Sequence, residues 1–277
     1  MQHPATLDFV IAIPSYRRAQ KLKDKTLAYL ESEGVDKSKI TIFVADEAEL
    51  ESYRQVISDE YKIVVGRLGI NHQRSFITEY YPLHTQIVFM DDDIRKIKML
   101  DPKPFSLLCE VMFSHCHAED ANLWGIYPVN NLFFCKERVL KGRYYIIGCC
   151  CGFINQKDMG FWLSSNGKDD AYFSLFRYSR DGAVLRYEGA CPDTDYYASG
   201  GINATRTKER EREDSLAIVA MFPTMASYVV KKNGHPEVKI IRETQSAFQF
   251  IRPASHELLT AYVDIHEEDE ADPPVVQ

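Results

Sequence analysis

The sequence predicts an α/β fold in which a central, mostly parallel sheet is covered by helices on both faces. Two observations predict it. Over the first hundred residues, short β-branched apolar runs alternate with longer amphipathic stretches, the pattern of βαβ units. The polar residues able to do chemistry then fall directly after those apolar runs, at the carboxyl ends where open parallel sheets present ligands. The apolar share of 45% and charged share of 26% are those of an ordinary globular chain.

Each element has a local reason. Residues 7–13 are apolar and β-branched and stop at Pro14, a first strand. Residues 21–33 set Leu22, Leu27 and Leu30 among charges and end at Gly34, a surface helix. Residues 40–45 read as the second strand, 47–57 as the second helix, 62–65 as the third strand, 71–81 as the third helix and 85–90 as the fourth strand. Strands spaced by single helices imply a parallel sheet. The second half is less regular. Helices are expected over 104–118, 156–163, 171–178 and 208–221. Strands are expected over 123–128, 144–151, 183–187, 226–230 and 238–241, the last two around the turn Asn233-Gly234. With no repeat and no long linker, one composite domain with a functional break near Asp93 is the simplest organisation.

The bulk properties narrow the function. A net charge of −7 argues against coating nucleic acid by bulk charge. Much of that excess sits in the tail over 261–277, where Asp264, Glu267, Glu268, Asp269, Glu270 and Asp272 run into Pro273-Pro274 and predict disorder. The body is close to neutral and has room for a basic patch. No apolar run reaches the roughly 18 residues of a membrane span, and the start lacks a signal-peptide pattern. The seven cysteines are odd in number and include the run Cys149-Cys150-Cys151, which suits reduced thiols and a cytoplasmic location.

The chemistry concentrates at Asp91-Asp92-Asp93, directly after Ile87-Val88-Phe89-Met90. Three adjacent carboxylates repel, and a divalent cation that brings phosphates with it is the obvious remedy. On an extended segment Asp91 and Asp93 share a face, so they can hold a metal together while Asp92 turns toward a sugar or ribose. Pro14, Tyr16, Arg17 and Arg18 follow the first strand, and Asp46 follows the second. Arg17, Arg18 and Arg74 carry guanidinium forks that match phosphate oxygens. Asp46 can accept from a pyrimidine imide or cap the helix that follows it. Asp169-Asp170 can cap a helix or supply a base for a hydroxyl proton. Gly152 would allow close backbone approach to a sugar. His235 stands in the turn Asn233-Gly234-His235-Pro236, where a lone histidine is usually a surface residue. Arg177, Arg180, Arg186, Arg206, Lys208, Arg210 and Arg212, with Phe173, Phe176, Tyr178, Tyr196 and Tyr197, would suit a nucleic-acid acceptor, although Glu209, Glu211 and Glu213 interleave the last of them.

In chain order these signals resemble the GT-A, Rossmann-like glycosyltransferases. Ile13-Pro14-Ser15-Tyr16-Arg17-Arg18, Asp46, Gly69 through Arg74, the DxD-like Asp91-Asp92-Asp93 and the later Lys168-Asp169-Asp170 stand in their order over residues 7–240. The segments around Cys151-Gly152-Phe153 and Asp169–Leu175, followed by Arg180-Asp181-Gly182, are similar to the acceptor half of family 2 inverting transferases. Asp169 stands where Glu is usual there. Thr26-Leu27, Leu30 and Ile42 through Glu49 more narrowly resemble the TET/JBP-associated glycosyltransferases, which act on oxidised DNA bases.

That resemblance implies a UDP-sugar donor read at Asp46 and Arg74, Mn²⁺ or Mg²⁺ on Asp91 and Asp93 with the late His235 as a further ligand, and Asp170 as base. It implies a nucleotide-sugar half over 1–93 and an acceptor half over 94–260. Transfer of glucose or a related sugar to 5-hydroxymethylcytosine in DNA is the leading expectation. The alternatives are a glycan, lipid or protein acceptor, a nucleotidyltransferase, and a catalytically inactive module that binds modified DNA. A nucleotidyltransferase would carry a glycine-rich loop after the first strand, where Ser15–Ala19 has no glycine.

Overall fold

In the computed structural model, the structure describes residues 8–158, 168–194, 207–241, 248–251 and 263–266. The first half follows the expected alternation: β1 (Phe9–Pro14), α1 (Ala19–Leu22), α2 (Ala28–Ser32), β2 (Ile40–Val44), α3 (Glu47–Arg54), β3 (Lys62–Val65), α4 (Ile70–Tyr80) and β4 (Gln86–Met90). A π-type turn over Lys23–Leu27 joins α1 to α2 in one continuous helix. Then come β5 (Ile94–Met99), α5 (Phe105–Ala118), β6 (Leu123–Ile126), β7 (Val139–Gly142), β8 (Cys150–Ile154), α6 (Asp169–Asp181), β9 (Val184–Tyr187) and β10 (Ala190–Thr194). The last elements are α7 (Lys208–Met221), β11 (Ala226–Val230), β12 (Pro236–Ile240), β13 (Phe248–Ile251) and β14 (Val263–His266).

One sheet runs β14-β13-β7-β9-β6-β8-β4-β1-β2-β3. Strands β1 to β4 are mutually parallel, and β6 and β9 run the same way. Strands β8 and β7 oppose them. Alternate side chains of each central strand enter opposite cores. Ile11, Ile13, Val88 and Met90 pack with Leu22, Leu30, Tyr53, Phe105 and Phe113 on the α1–α2, α3 and α5 face. Ala12, Ile87 and Phe89 pack with Ile77, Tyr172, Phe173 and Ile218 on the α4, α6 and α7 face. Burial on both faces is why these strands read as unbroken apolar runs. Two ribbons, β5–β10 and β11–β12, lie outside the main sheet.

Several boundaries differ from expectation. The strand expected over 144–151 begins only at Cys150, because an apolar run without periodicity does not show where pairing starts. Residues 156–158 are not helical, and the rest of the helix expected over 156–163 lies outside the described residues. Val263–His266 forms an edge strand inside the tail expected to be disordered, while 267–277 lie outside the described residues. All seven cysteines are free and buried. Among the described residues, no helix is long and apolar enough to cross a membrane.

Parallel pairing puts the ends of β1, β2 and β4 on one edge. Antiparallel β8 meets that edge with its beginning, where Cys150 pairs with Met90. Residues before β8, and the first turn of α6, therefore converge on the acidic triplet.

Candidate active site

The triplet occupies a turn between β4 and β5, and the turn is held from behind by one side chain. Thr26, buried in the π-type turn, donates from Oγ1 to the Asp91 carbonyl at 2.7 Å and accepts from the Ile94 amide at 3.0 Å. The Asp91 amide donates to the Cys149 carbonyl at 2.9 Å. Because the chain turns here, the alternation of an extended strand does not apply. Asp92 and Asp93 share one side and Asp91 takes the other, which corrects the expectation that Asp91 and Asp93 face together.

Asp92 accepts from Ser15 Oγ at 2.6 Å and from Arg18 Nη1 at 3.1 Å. Ser15 Oγ also meets Tyr53 Oη at 2.6 Å, so the first βα turn is tied to the triplet through one hydroxyl. Asp93 accepts from Thr194 Oγ1 at 2.6 Å, Lys21 Nζ at 3.1 Å and Arg18 Nη1 at 3.4 Å. Burial raises the Asp92 carboxyl above its ordinary pKa, opposed by the Ser15 hydrogen bond and by Arg18.

Arg74 is the hub of the other side. Its side chain is 3% exposed and ion-pairs with Asp169 through Nη1. Asp170 Oδ1 lies 3.6 Å and Asp91 Oδ1 3.7 Å from its guanidinium, and Nη2 donates to the Gly148 carbonyl at 3.0 Å. The guanidinium also stands 5.3 Å from the centre of the Phe89 ring. Burial works against this charge, but Asp169, Asp170 and Asp91 more than offset it and the Arg74 pKa is raised. The Asp91 carboxylate is 38% open to solvent. Desolvation raises its pKa well above the usual value; Arg74 opposes this, and Asp93, Asp92 and Asp170 add to it.

Asp170 also accepts from Tyr145 Oη at 2.9 Å. Gly148 makes this convergence possible. A Cβ there would fall 2.3 Å from Asp170 Oδ1 and 2.7 Å from Arg74 Nη1. Behind the pair, buried Lys168 donates to Glu237 of β12 at 3.0 Å, which ties the start of α6 to the β11–β12 ribbon.

The other expected site residues fare differently. Pro14 is buried at the end of β1 opposite Phe43, and Tyr16 is half-buried. Arg17 is exposed, with φ 57° and its guanidinium 4.9 Å from the centre of the Tyr16 ring. Asp46 caps α3 by accepting from the Glu49 amide at 2.9 Å. Gly152 is a packing glycine. It lies inside β8, and a Cβ there would fall 2.2 Å from Trp124 Nε1. His235 pairs with buried Glu211, Nδ1 to Oε2 at 3.0 Å, on the β11–β12 turn.

Three of the expected acceptor arginines are held in ion pairs, while Lys208, Arg210 and Arg212 are exposed on α7. Arg177 is buried against Asp158 at 2.9 Å, Arg186 is buried against Glu188 at 2.6 Å, and Arg180 pairs with Asp158 at 3.2 Å. Tyr196, Tyr197 and Arg206 lie outside the described residues. Ser15, Lys21, Thr26, Tyr145, Gly148 and Thr194 complete the site. Ser15, Thr26 and Gly148 stood within the segments that carry the resemblance; no sequence signal marked Lys21, Tyr145 or Thr194.

For a divalent cation, the donor set is decisive. Among the described residues, no three His, Cys, Asp or Glu side chains are arranged as a metal cage. Asp93 already meets Thr194, Lys21 and Arg18, and His235 meets Glu211, so the set Asp91, Asp93 and His235 does not form. The residues fit a cation held by the open Asp91 carboxylate and completed by a ligand's phosphates and water, which suits Mg²⁺-like coordination.

No protein-family model matches the chain, and no curated protein matches it. Among solved structures it is similar to S. aureus TarS 1-349, at 16% identity and TM-score 0.48, covering 76% of this chain and 65% of that one. It is also similar to mannosyl-3-phosphoglycerate synthase from Rubrobacter xylanophilus, at 10% identity and TM-score 0.49, covering 89% of this chain and 87% of that one. A third is 4-diphosphocytidyl-2C-methyl-D-erythritol synthase from Anaerococcus prevotii DSM 20548, at 13% identity and TM-score 0.38, covering 80% of this chain and 100% of that one.

Proposed function

We propose that this chain is a glycosyltransferase of GT-A type that moves a sugar, with glucose the first candidate, from a UDP-sugar to a hydroxyl on a modified DNA base, 5-hydroxymethylcytosine foremost. The observation that carries the reading is the Arg74 hub. One buried guanidinium gathers Asp91 from the first acidic segment and Asp169 and Asp170 from the second. Two acidic clusters far apart in sequence thereby become one site at the carboxyl edge of the sheet, which is where such a transfer needs them.

The proposed roles rest on that arrangement. Arg18 and Lys21 sit over Asp92 and Asp93 and can turn toward a donor diphosphate. Asp91 would hold Mn²⁺ or Mg²⁺, which would supply Lewis-acid neutralisation of the charge on the departing nucleotide. Asp170 takes the proton of the acceptor hydroxyl, with Tyr145 and Arg74 fixing its carboxylate. Asp46 keeps its capping role in this scheme and is not needed to read the base. The test is mass spectrometry of DNA with and without 5-hydroxymethylcytosine after incubation with a panel of UDP-sugars and Mn²⁺. A hexose mass gain only on the modified DNA is expected. Transfer to a different acceptor with none to DNA would overturn the acceptor, and pyrophosphate release from UTP and a sugar phosphate would overturn the reaction.

A further inference from the structure

Strand β5 leaves the acidic turn directly, since Ile94 follows Asp93. Its six residues include Arg95, Lys96 and Lys98 and no acid, in a chain with 33 Lys and Arg against 40 Asp and Glu. Ile94 and Ile97 point into the core. Arg95 and Lys96 are exposed and Lys98 is half-buried. The ribbon partner β10 contributes one acid, Asp193, which pairs with Lys98 at 3.1 Å and with Arg95 at 3.7 Å. The pairing shifts register at Asp193/Thr194, which lets neighbouring basic side chains emerge together instead of alternating.

The strip does not stand alone. On one side β5 packs against the turn that carries exposed Lys23 and half-buried Lys25. On the other, Lys98 Nζ donates to Asn130 at 2.9 Å, which joins the ribbon to the 129–134 loop. That loop carries Phe133, 85% exposed, and is followed by exposed Lys136. A basic ribbon beside an exposed aromatic ring thus starts at the rim of the candidate active site.

We infer that the β5 ribbon is the track on which the phosphate backbone of a nucleic acid lies while one of its bases is presented to Asp170. This rests on the reading that the acceptor is DNA. Charge complementarity is the argument. Exposed Arg95 and Lys96 put positive charge beside the acidic turn, and duplex DNA carries one phosphate per roughly 3.4 Å of helix axis on each strand. The track supplies affinity without sequence preference, as backbone contacts do. Phe133 offers a face on which an unstacked base can rest. Arg177 of α6 and Arg186 of β9, both expected on the acceptor side, cannot serve because they are buried in ion pairs, and the exposed Arg210 and Arg212 of α7 alternate with Glu209, Glu211 and Glu213.

The experiment measures anisotropy of a labelled short duplex of unmodified DNA across a salt series. It compares the wild-type chain with Lys96→Gln and with Lys96→Gln/Lys98→Gln, and follows UDP affinity of each protein by calorimetry. Neither lysine touches the acidic turn, so UDP affinity is expected to hold. The slope of log K against log salt is expected to flatten by about 1 in the single variant and about 2 in the double one. Unchanged slopes would overturn the track. So would a wild-type chain that binds UDP but no duplex, or that binds polyglutamate as tightly as DNA. A wild-type chain that binds no UDP, with slopes that still flatten in the variants as expected, would instead remove the donor reading and leave the track standing.

Discussion

Gly148→Ala separates the chemistry of the site from its folding. The added Cβ would stand 2.3 Å from Asp170 Oδ1 and 2.7 and 2.8 Å from the two Arg74 terminal nitrogens, where ordinary contact begins at 3.4 Å. Asp170 or the new methyl must therefore give way by about 1 Å. Gly148 is not among the residues with left-handed backbone, so alanine can adopt its conformation without strain. A displacement of about 1 Å at a reacting group costs on the order of 10²-fold in rate. The expectation is a transfer rate down about 10²-fold, measured under saturating UDP-sugar, with UDP affinity retained. Gly152→Ala is the control. Its Cβ would strike the Trp124 indole at 2.2 Å, inside the sheet and away from the acids, and overpacking of this kind costs about 1–3 kcal/mol. That variant should lose urea resistance and keep its specific activity. Full transfer by Gly148→Ala would refute the placement of Asp170 as base beside Arg74.

Three further outcomes follow from the same network. Arg74→Met removes the cation shared by Asp91, Asp169 and Asp170, and should cost roughly 3–5 kcal/mol of stability at pH 7 in urea titrations; a variant as stable as the wild-type chain would contradict the hub. The raised Asp91 pKa means the unfolded chain releases that proton first as pH climbs, so stability falls above the ordinary aspartate value of about 3.9 and that loss is complete above the folded-state pKa. Asp91→Asn should therefore raise the thermal midpoint of the ligand-free protein at pH 7 while reducing transfer on the order of 10²–10³-fold; a lower midpoint at pH 7 would defeat this reasoning. Thr26→Val strands the Asp91 carbonyl and the Ile94 amide, about 1–3 kcal/mol for each buried group. Hydrogen exchange at Ile94 should accelerate in that variant and slow again in Thr26→Ser.

The alternation of strand and helix through Met90 was legible because it is written in local patterns: β-branched runs, capping Asp46, the Gly34 stop. So were the acids at the strand ends, since an apolar run that halts at charges marks an edge. Strands β5, β7 and β10 escaped notice because their burial is supplied by partners distant in sequence. Cys150–Ile154 was displaced because its run, buried on both sides, carries no period.

Sequence alone determined that this chain is an α/β protein with acidic clusters at one edge of its sheet, because periodicity and chain order are properties of neighbours. Only the tertiary structure decided what each acid meets. Asp91 turned from Asp93 because Thr26 holds a turn where a strand was expected. Asp169 and Asp170 joined Asp91 because Arg74, on another helix, is buried among all three. Gly148 displaced Gly152 as the glycine of the site, since only three-dimensional packing reveals which missing Cβ leaves room for a carboxylate and which for an indole.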